Sequence, residues 1–240
     1  MIAVTSVEYM VTVPAVWSDT AKNATLTAAK KAGIGPIVYM ISEPEAAAIY
    51  ALKAMEQIQS NVGDNFIICD AGGGTVDLIS YEIKSLAPLR LVESAPGTGA
   101  LCGGAFLNLR FQKMVLSRIG EHEFNTLLER KPKAWAIAIR YFEDYVKRTF
   151  DPSNSQDTYD DTKFNVCFPG VKDNIAAGIE DSFISLSSAD IAELFRPIVN
   201  NIIDLVERQR MHLAAQDKPH PRWWVWPVQL SLQVHEITLC

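Results

Sequence analysis

The chain has 240 residues, 48% hydrophobic and 21% charged, with a formal net charge of -6 and a pI near 5.3. That is enough apolar material for one large or two modest globular domains. The acidic balance argues against a nucleic-acid backbone as the main partner, no apolar stretch is long enough to span a bilayer, and Met1 to Tyr9 lacks the features of a signal peptide, so a cytoplasmic, soluble protein is expected.

Taken in chain order, Glu8 to Pro14 reads as a short strand. Ser18 and Asp19 are placed to cap a helix that runs to about Ala32, with Ala21, Ala24, Ala28 and Ala32 at helical spacing and Gly33 as its stop. Small side chains at that spacing predict close packing on a sheet. Pro36 to Ile41 is the next strand. Ser42-Glu-Pro-Glu then opens a second helix, with Ser42 or Glu43 at the cap and Pro44 in the first turn, where its missing N–H costs nothing. The polar stretch from Gln57 to Asp64 reads as a connection to a second lobe.

The most informative segment is Asp70-Ala-Gly-Gly-Gly-Thr-Val-Asp77, entered from the apolar run Phe66 to Cys69. Residues Val76 to Ile83 alternate in polarity and are rich in β-formers, so the segment is a strand, glycine turn, strand hairpin. It is neither a Walker loop, which needs Gly-Lys-Ser/Thr and a helix, nor a dinucleotide fingerprint, whose glycines open a helix. Gly72, Gly73 and Gly74 can adopt positive φ and leave no Cβ in the way, so consecutive amides can face an anion. Thr75 adds a hydroxyl. Asp70 and Asp77 offer hard oxygen ligands that suit magnesium through water.

Further on, Arg90 to Ala95 is a strand, and Pro96 to Gly104 a second glycine-rich loop leading into a helix from about Phe106. Phe106 to Lys147 reads as mainly helical, broken near Gly120 and Pro132, with Trp135, Ile139, Phe142 and Val146 as a core stripe. Asp151 to Lys163 reads as a loop and Phe164 to Ile184 as a small antiparallel ribbon. Ser187 or Ser188 caps a last helix that Pro197 is expected to restart or kink, with Ile198, Ile202, Leu205 and Val206 on its buried face. Cys69, Cys102, Cys167 and Cys240 show no metal or redox spacing and are expected to be free thiols.

Thr12-Val-Pro-Ala-Val-Trp17, Ser42-Glu-Pro-Glu-Ala-Ala-Ala48 and the Asp70 to Asp77 hairpin together resemble the actin-like ATPase domain of the seventy-kilodalton heat-shock protein family. The resemblance covers roughly Glu8 to Gln209. The second glycine loop continues Gly103-Gly-Ala-Phe106 where the chaperone pattern has Gly-Gly-Glu-Asp, which resembles the divergent branch common in fungi and animals. The resemblance implies an α/β, two-lobed actin-like (ribonuclease H-like) fold, incomplete here, with residues 1–60 as the remainder of lobe I. Residues 61–216 are then lobe II with an inserted helical subdomain at about 111–185, and 217–240 an aberrant or disordered tail.

It also implies ATP or ADP and magnesium as cofactors, client or regulatory proteins as partners, and a set of site residues. Glu43, Asp70, Thr75 and Asp77 match the catalytic positions, with Asp70 and Asp77 holding hydrated magnesium. Gly72, Gly73, Gly74, Thr75, Gly103, Gly104, Asp144, Lys147 and Arg148 match positions around the nucleotide, with Arg148 placed to stack on the purine. Phosphoryl transfer needs positioning and charge neutralisation rather than a covalent nucleophile, which agrees with such a set. Plainer readings stand beside these: Glu43 as a helix-dipole carboxylate, Lys147 and Arg148 as a solvated helix face, Gly103-Gly104 as an ordinary helix entry.

The family's first strand, phosphate loop and lysine-bearing subdomain have no counterpart in this chain, so weak or absent turnover is expected of it. Asp217 to Cys240 carries Trp223, Trp224 and Trp226 where the family has an apolar strand and a Gly-Gly adenosine loop. Read one base out of frame from Arg222, Trp-Trp-Val encodes Leu, Met or Val followed by Val and Gly, which resembles the family's Leu-Val-Gly. A shifted reading frame is therefore expected there. A non-catalytic nucleotide-sensing or protein-interaction module, and a truncated product without function, are the rival readings.

Overall fold

The computed structural model describes residues 7–15, 17–35, 37–54, 60–150, 163–216, 218 and 222–226. The chain divides into two compact units. The first takes in the residues before Gly72, Thr75–Leu101 and Ile203–Trp226; the second holds Gly72–Gly74 and Cys102–Ile202. In the first unit the hairpin that follows residue 60 packs with the helix that precedes it.

In the first unit, β1 (Tyr9–Val13) and β2 (Val38–Ser42) form a two-stranded parallel sheet, with Tyr9 opposite Val38 and Val13 opposite Ser42. Between them runs α1 (Asp19–Lys31), capped by Ser18, whose hydroxyl accepts from the Ala21 amide at 3.3 Å, and stopped at Gly33 with φ +78°. The cap and stop agree with the sequence reading. Of this helix Ala29 is the buried residue, since a two-stranded sheet offers little surface to cover.

Ser42 accepts from the Glu45 amide at 3.3 Å and so caps α2 (Glu43–Ala54). Strands β3 (Asn65–Ala71), β4 (Val76–Leu86) and β5 (Leu89–Ala100) follow as an antiparallel meander. Every residue of β3 is buried, as expected of a strand covered on both faces. On one face Ala47 and Ala48 of α2 pack with Phe66, Ile68, Ile79, Tyr81 and Ile83. Two small residues let the helix approach closely, and alternation along each strand assigns this face Phe66, Ile68 and Asp70 from β3 and Asp77, Ile79 and Tyr81 from β4.

The strand β5 extends through Pro96 to Ala100, so the expected second glycine loop shrinks to Leu101–Gly103. The difference arises at a bulge. Between the pairs Leu78–Thr98 and Ser80–Ala95, two steps along β4 meet three along β5, and the extra residue makes room for a proline inside an edge strand.

In the second unit, α3 (Gly104–Ile119), α4 (Glu121–Arg130) and α5 (Pro132–Tyr141) are separated at Gly120 and Pro132 as expected. A π-helical turn, Phe142–Val146, joins α5 to the short α6 (Lys147–Thr149). The core is aromatic: Phe111 stacks on Phe142 at 4.4 Å and on Trp135 at 5.9 Å, while Phe124 meets Trp135 edge-on at 5.3 Å. Such pairs contribute about 1 kcal/mol each beyond their buried area. Strands β6 (Lys163–Cys167), β7 (Ile179–Glu180) and β8 (Phe183–Ser187) make the expected antiparallel ribbon. The segment expected to be a loop before β6 falls at 151–162, outside the described residues.

Helix α7 (Ser188–Ala214) begins with a capping box. Ser187 Oγ accepts from the Asp190 amide at 3.1 Å, and Asp190 Oδ2 accepts from the Ser187 amide at 2.9 Å. It continues through Pro197 without restarting there, and buries Ile198, Ile202, Leu205 and Val206 as predicted. Residues 203–214 of the helix belong to the first unit.

The tail departs furthest from expectation. Within 217–240, the backbone of Arg222–Trp226 forms a strand, β9, parallel to β3 with Phe66 opposite Arg222 and Asp70 opposite Trp226. Tryptophan and valine favour extended backbone, and the buried strand β3 has an edge to satisfy. Residues 217, 219–221 and 227–240 lie outside the described residues.

Candidate functional site

Three carboxylates converge in the first unit. Asp70 and Asp77 are direct cross-strand partners at the end of the β3–β4 hairpin, 7% and 1% exposed. Glu43 is the first residue of α2, four positions before Ala47 on the same packed face. The close Ala47–Ala48 contact therefore brings the start of the helix to the aspartate end of the hairpin. Like charges directly opposite each other on a sheet are unfavourable, so nothing about stability recommends the arrangement.

The proton affinities carry the same message. Burial, then the charges of Glu43 and Asp77, raise the Asp70 carboxyl to about 6. Burial and the Asp77 charge raise Glu43 as well. A carboxylate serving only as a dipole partner at a helix N-terminus would be shifted downward. Burial, then the Asp77 charge, act on Glu43 against that downward shift.

Among the described residues, no three His, Cys, Asp or Glu side chains are arranged to chelate a metal directly. The donor set still fits a hard divalent cation, since two opposed aspartates and a neighbouring glutamate concentrate negative charge that hydrated magnesium neutralises through its water shell. Asp70 and Asp77 would hold it.

The glycine turn does not use the left-handed backbone open to it. None of Gly72, Gly73 or Gly74 has positive φ. Instead their carbonyls are pinned: Gly72 O accepts from the Gly104 amide at 3.0 Å, Gly73 O from Ala105 at 2.7 Å, and Gly74 O from Gly103 at 3.2 Å. In a trans peptide the N–H points opposite to the C=O, so the amides of Gly73, Gly74 and Thr75 face away from the start of α3. These amides lie on the side of the turn away from the bonds to α3.

Glycine is required at 103 by close approach, because a Cβ there would lie 2.5 Å from Gly72 O and 2.7 Å from Gly73. The same bonds occupy the amides of Gly103 and Gly104, which therefore anchor the turn and are not free for a phosphate. They also satisfy donors that an α-helix leaves orphaned at its N-terminus.

Lys147 is buried, and its Nζ donates to Gly104 O at 3.0 Å and Asn108 Oδ1 at 3.1 Å. Burial lowers its pKa, the Glu143 carboxylate 4.0 Å away works against that, and Arg148 adds to the lowering. The solvated-face reading fails for this residue. The π-helical turn, one extra residue in the helical path, rotates Lys147 inward and leaves Arg148 exposed. Asp144, also exposed, lines a groove of about 560 Å³ with Ile137, Arg140, Tyr141 and Tyr145.

Two participants escaped the sequence reading. Asn108 shares Lys147 with the Gly104 carbonyl, and only its four-residue spacing from Gly104 on a helix hinted at that. Gln209 sits on the buried stripe of α7 with no exposed area and holds the β4–β5 bulge. A polar residue in phase with Ile202, Leu205 and Val206 was its available signal.

The fold and these residues define an α/β protein compatible with an actin-like ATPase, in which a hairpin and a helix start present carboxylates at one end of a sheet. The Hsp70 protein family model matches residues 3–91, which include all three motifs of the first unit. Human heat shock 70 kDa protein 12A is 26% identical over 57% of this chain and 28% of its own length. Human heat shock 70 kDa protein 12B is 23% identical over 84% of the chain and 39% of its own length. A chaperone protein HscA homolog of Neisseria meningitidis serogroup B is 32% identical over 50% and 18% respectively. The chain is thus similar to Hsp70-family proteins, including the two human 12-type members, and spans less than two fifths of the length of these relatives.

Proposed function

We propose that this chain carries part of the nucleotide site of an Hsp70-like, actin-fold ATPase, binding ATP or ADP with magnesium and serving a chaperone-like or regulatory protein. The observation that supports this most is the convergence of Glu43, Asp70 and Asp77 on one end of a sheet face, where burial and their mutual charge raise the pKa of Asp70 and Glu43. Bound magnesium would neutralise phosphate charge. Asp70 and Asp77 would orient its water shell, Glu43 and Thr75 would orient the attacking water and the terminal phosphate, and the outward amides of Gly73 and Gly74 would meet phosphate oxygens.

The resemblance assigns Asp144 to the ribose and Arg148 to the purine, and both are exposed and available. Lys147 acts at one remove by holding the Gly104 carbonyl.

Calorimetry with magnesium-ATP on the 240-residue chain, beside Asp70→Ala and with phosphate release followed in parallel, tests the reading. Binding that is lost in the variant supports it. Binding without turnover supports the nucleotide-sensing rival, and equal binding by both proteins removes Asp70 from the site.

A further inference from the structure

Gln209 uses both ends of its side chain although no part of it is exposed. Its Oε1 accepts from the Ser80 hydroxyl at 2.9 Å. Its Nε2 donates to Pro96 O at 2.7 Å and Thr98 Oγ1 at 3.2 Å, and lies 3.4 Å from Leu78 O. All four partners flank the bulge in the β4–β5 ladder, where the strands fall out of step between Leu78 and Ser80.

A bulge breaks the regular exchange of backbone bonds, and buried groups left over must be satisfied by other means. A primary amide is suited to that task, because one side chain both donates and accepts. The strands also approach closely here: a Cβ on Gly97 would lie 3.3 Å from Leu78 O.

The bulge begins one residue after Asp77, which pairs with Gly99 on β5 and Asp70 on β3. The extra residue lies on β5, while β4 keeps an unbroken register with β3 from Asn65–Glu82 to Ala71–Val76. Whatever pins the bulge therefore holds β5 in step beside Asp77 and steadies the stretch of β4 that carries it across from Asp70. We propose that Gln209 is a positioning residue for Asp77, clamping the bulge from α7 so that the opposed aspartates keep their alignment, and that it thereby sets the magnesium-dependent part of nucleotide binding. This rests on the nucleotide-binding reading above.

The test uses the full chain with Gln209→Leu, which removes donor and acceptor, and Gln209→Glu, which keeps the acceptor for Ser80 and loses the amide donor. Ser80→Ala serves as a milder third variant where either fails to fold, as judged by thermal unfolding. Two quantities are read: backbone hydrogen exchange over residues 76–80 and 96–100, and the ratio of nucleotide affinity with and without magnesium. The expected result is faster exchange at both strands and a magnesium enhancement reduced about tenfold, as for other residues that orient metal-binding groups, with metal-free affinity within about twofold of wild type.

Faster exchange with an unchanged magnesium ratio reduces Gln209 to a structural plug and overturns the proposal. Unchanged exchange overturns it too, since the bulge then holds without the clamp. If the wild-type chain itself shows no magnesium-dependent binding, the functional reading falls and the positioning role with it, an outcome separate from the other two.

Discussion

Asp70 and Asp77 stand directly opposite each other across the β3–β4 hairpin, both buried, with Glu43 adding a third negative charge from the start of α2. A sheet built for stability alone would place an apolar or oppositely charged pair there. Substituting Asp70→Asn is expected to stabilise the chain at pH 7 by about 1 kcal/mol, while abolishing magnesium-dependent nucleotide binding. Urea unfolding and calorimetry on the same samples check both halves; a variant that loses stability contradicts the repulsion argument.

The pH dependence follows from the direction of the shifts. Asp70 titrates near 6 in the folded chain and near 4 when unfolded, so between those values the folded state holds the extra proton. Its contribution is greatest below pH 4 and lost as pH rises through about 6, with Glu43 adding in the same sense. The full shift corresponds to about 3 kcal/mol, and residual solvent screening reduces that to about 1–2. Asp190 acts oppositely. Burial raises its pKa, but bonds from the Ser187 amide and hydroxyl and from Arg118, 2.6 Å away, outweigh burial and lower it, so its contribution disappears as pH falls below about 4. Unfolding midpoints are expected to peak between about pH 4 and 5, and Asp70→Asn flattens the decline toward neutrality.

Gly103 and Gly74 make a paired test of the turn. An added methyl at 103 meets backbone atoms under 3 Å away and forces the turn off α3, at a cost of about 3 kcal/mol. At Gly74 nothing lies within 4 Å and φ is not positive, so alanine there is expected to be neutral within about 0.5 kcal/mol. Equal effects at both sites in urea unfolding exclude the proposed anchoring.

Lys147→Met and Arg148→Ala separate the two basic residues. Methionine strands the Gly104 carbonyl and Asn108 Oδ1 and is expected to destabilise by about 2 kcal/mol. The exposed Arg148 is expected to change stability by less than about 0.5 kcal/mol and to act on purine-nucleotide affinity instead. Thermal unfolding beside a nucleotide titration tells them apart.

Removing residues 219–240 takes away the parallel partner of β3. The opened edge is expected to lower solubility and to promote self-association, measurable by light scattering against the full chain. An unchanged, monodisperse truncation argues that β9 contributes nothing to the sheet.

Much of this protein is local chemistry that the amino-acid order states openly. Ser18 and Ser187 announce helix starts, Gly33 and Gly120 stops, and the apolar run into Asp70 followed by three glycines and Thr75 announces the hairpin and its carboxylates. Each depends on neighbours a few residues away, where short-range sterics and single hydrogen bonds decide. Contacts from distant parts of the chain decided the rest. The turn glycines take their orientation from amides some thirty residues later, Lys147 turns inward because a π-helical turn shifts its phase, and β5 runs through Pro96 because Gln209 satisfies the bulge from α7. The Trp-rich segment becomes a strand because β3 offers an edge. Burial and hydrogen-bond satisfaction are properties of the packed chain, so no window of sequence contains them.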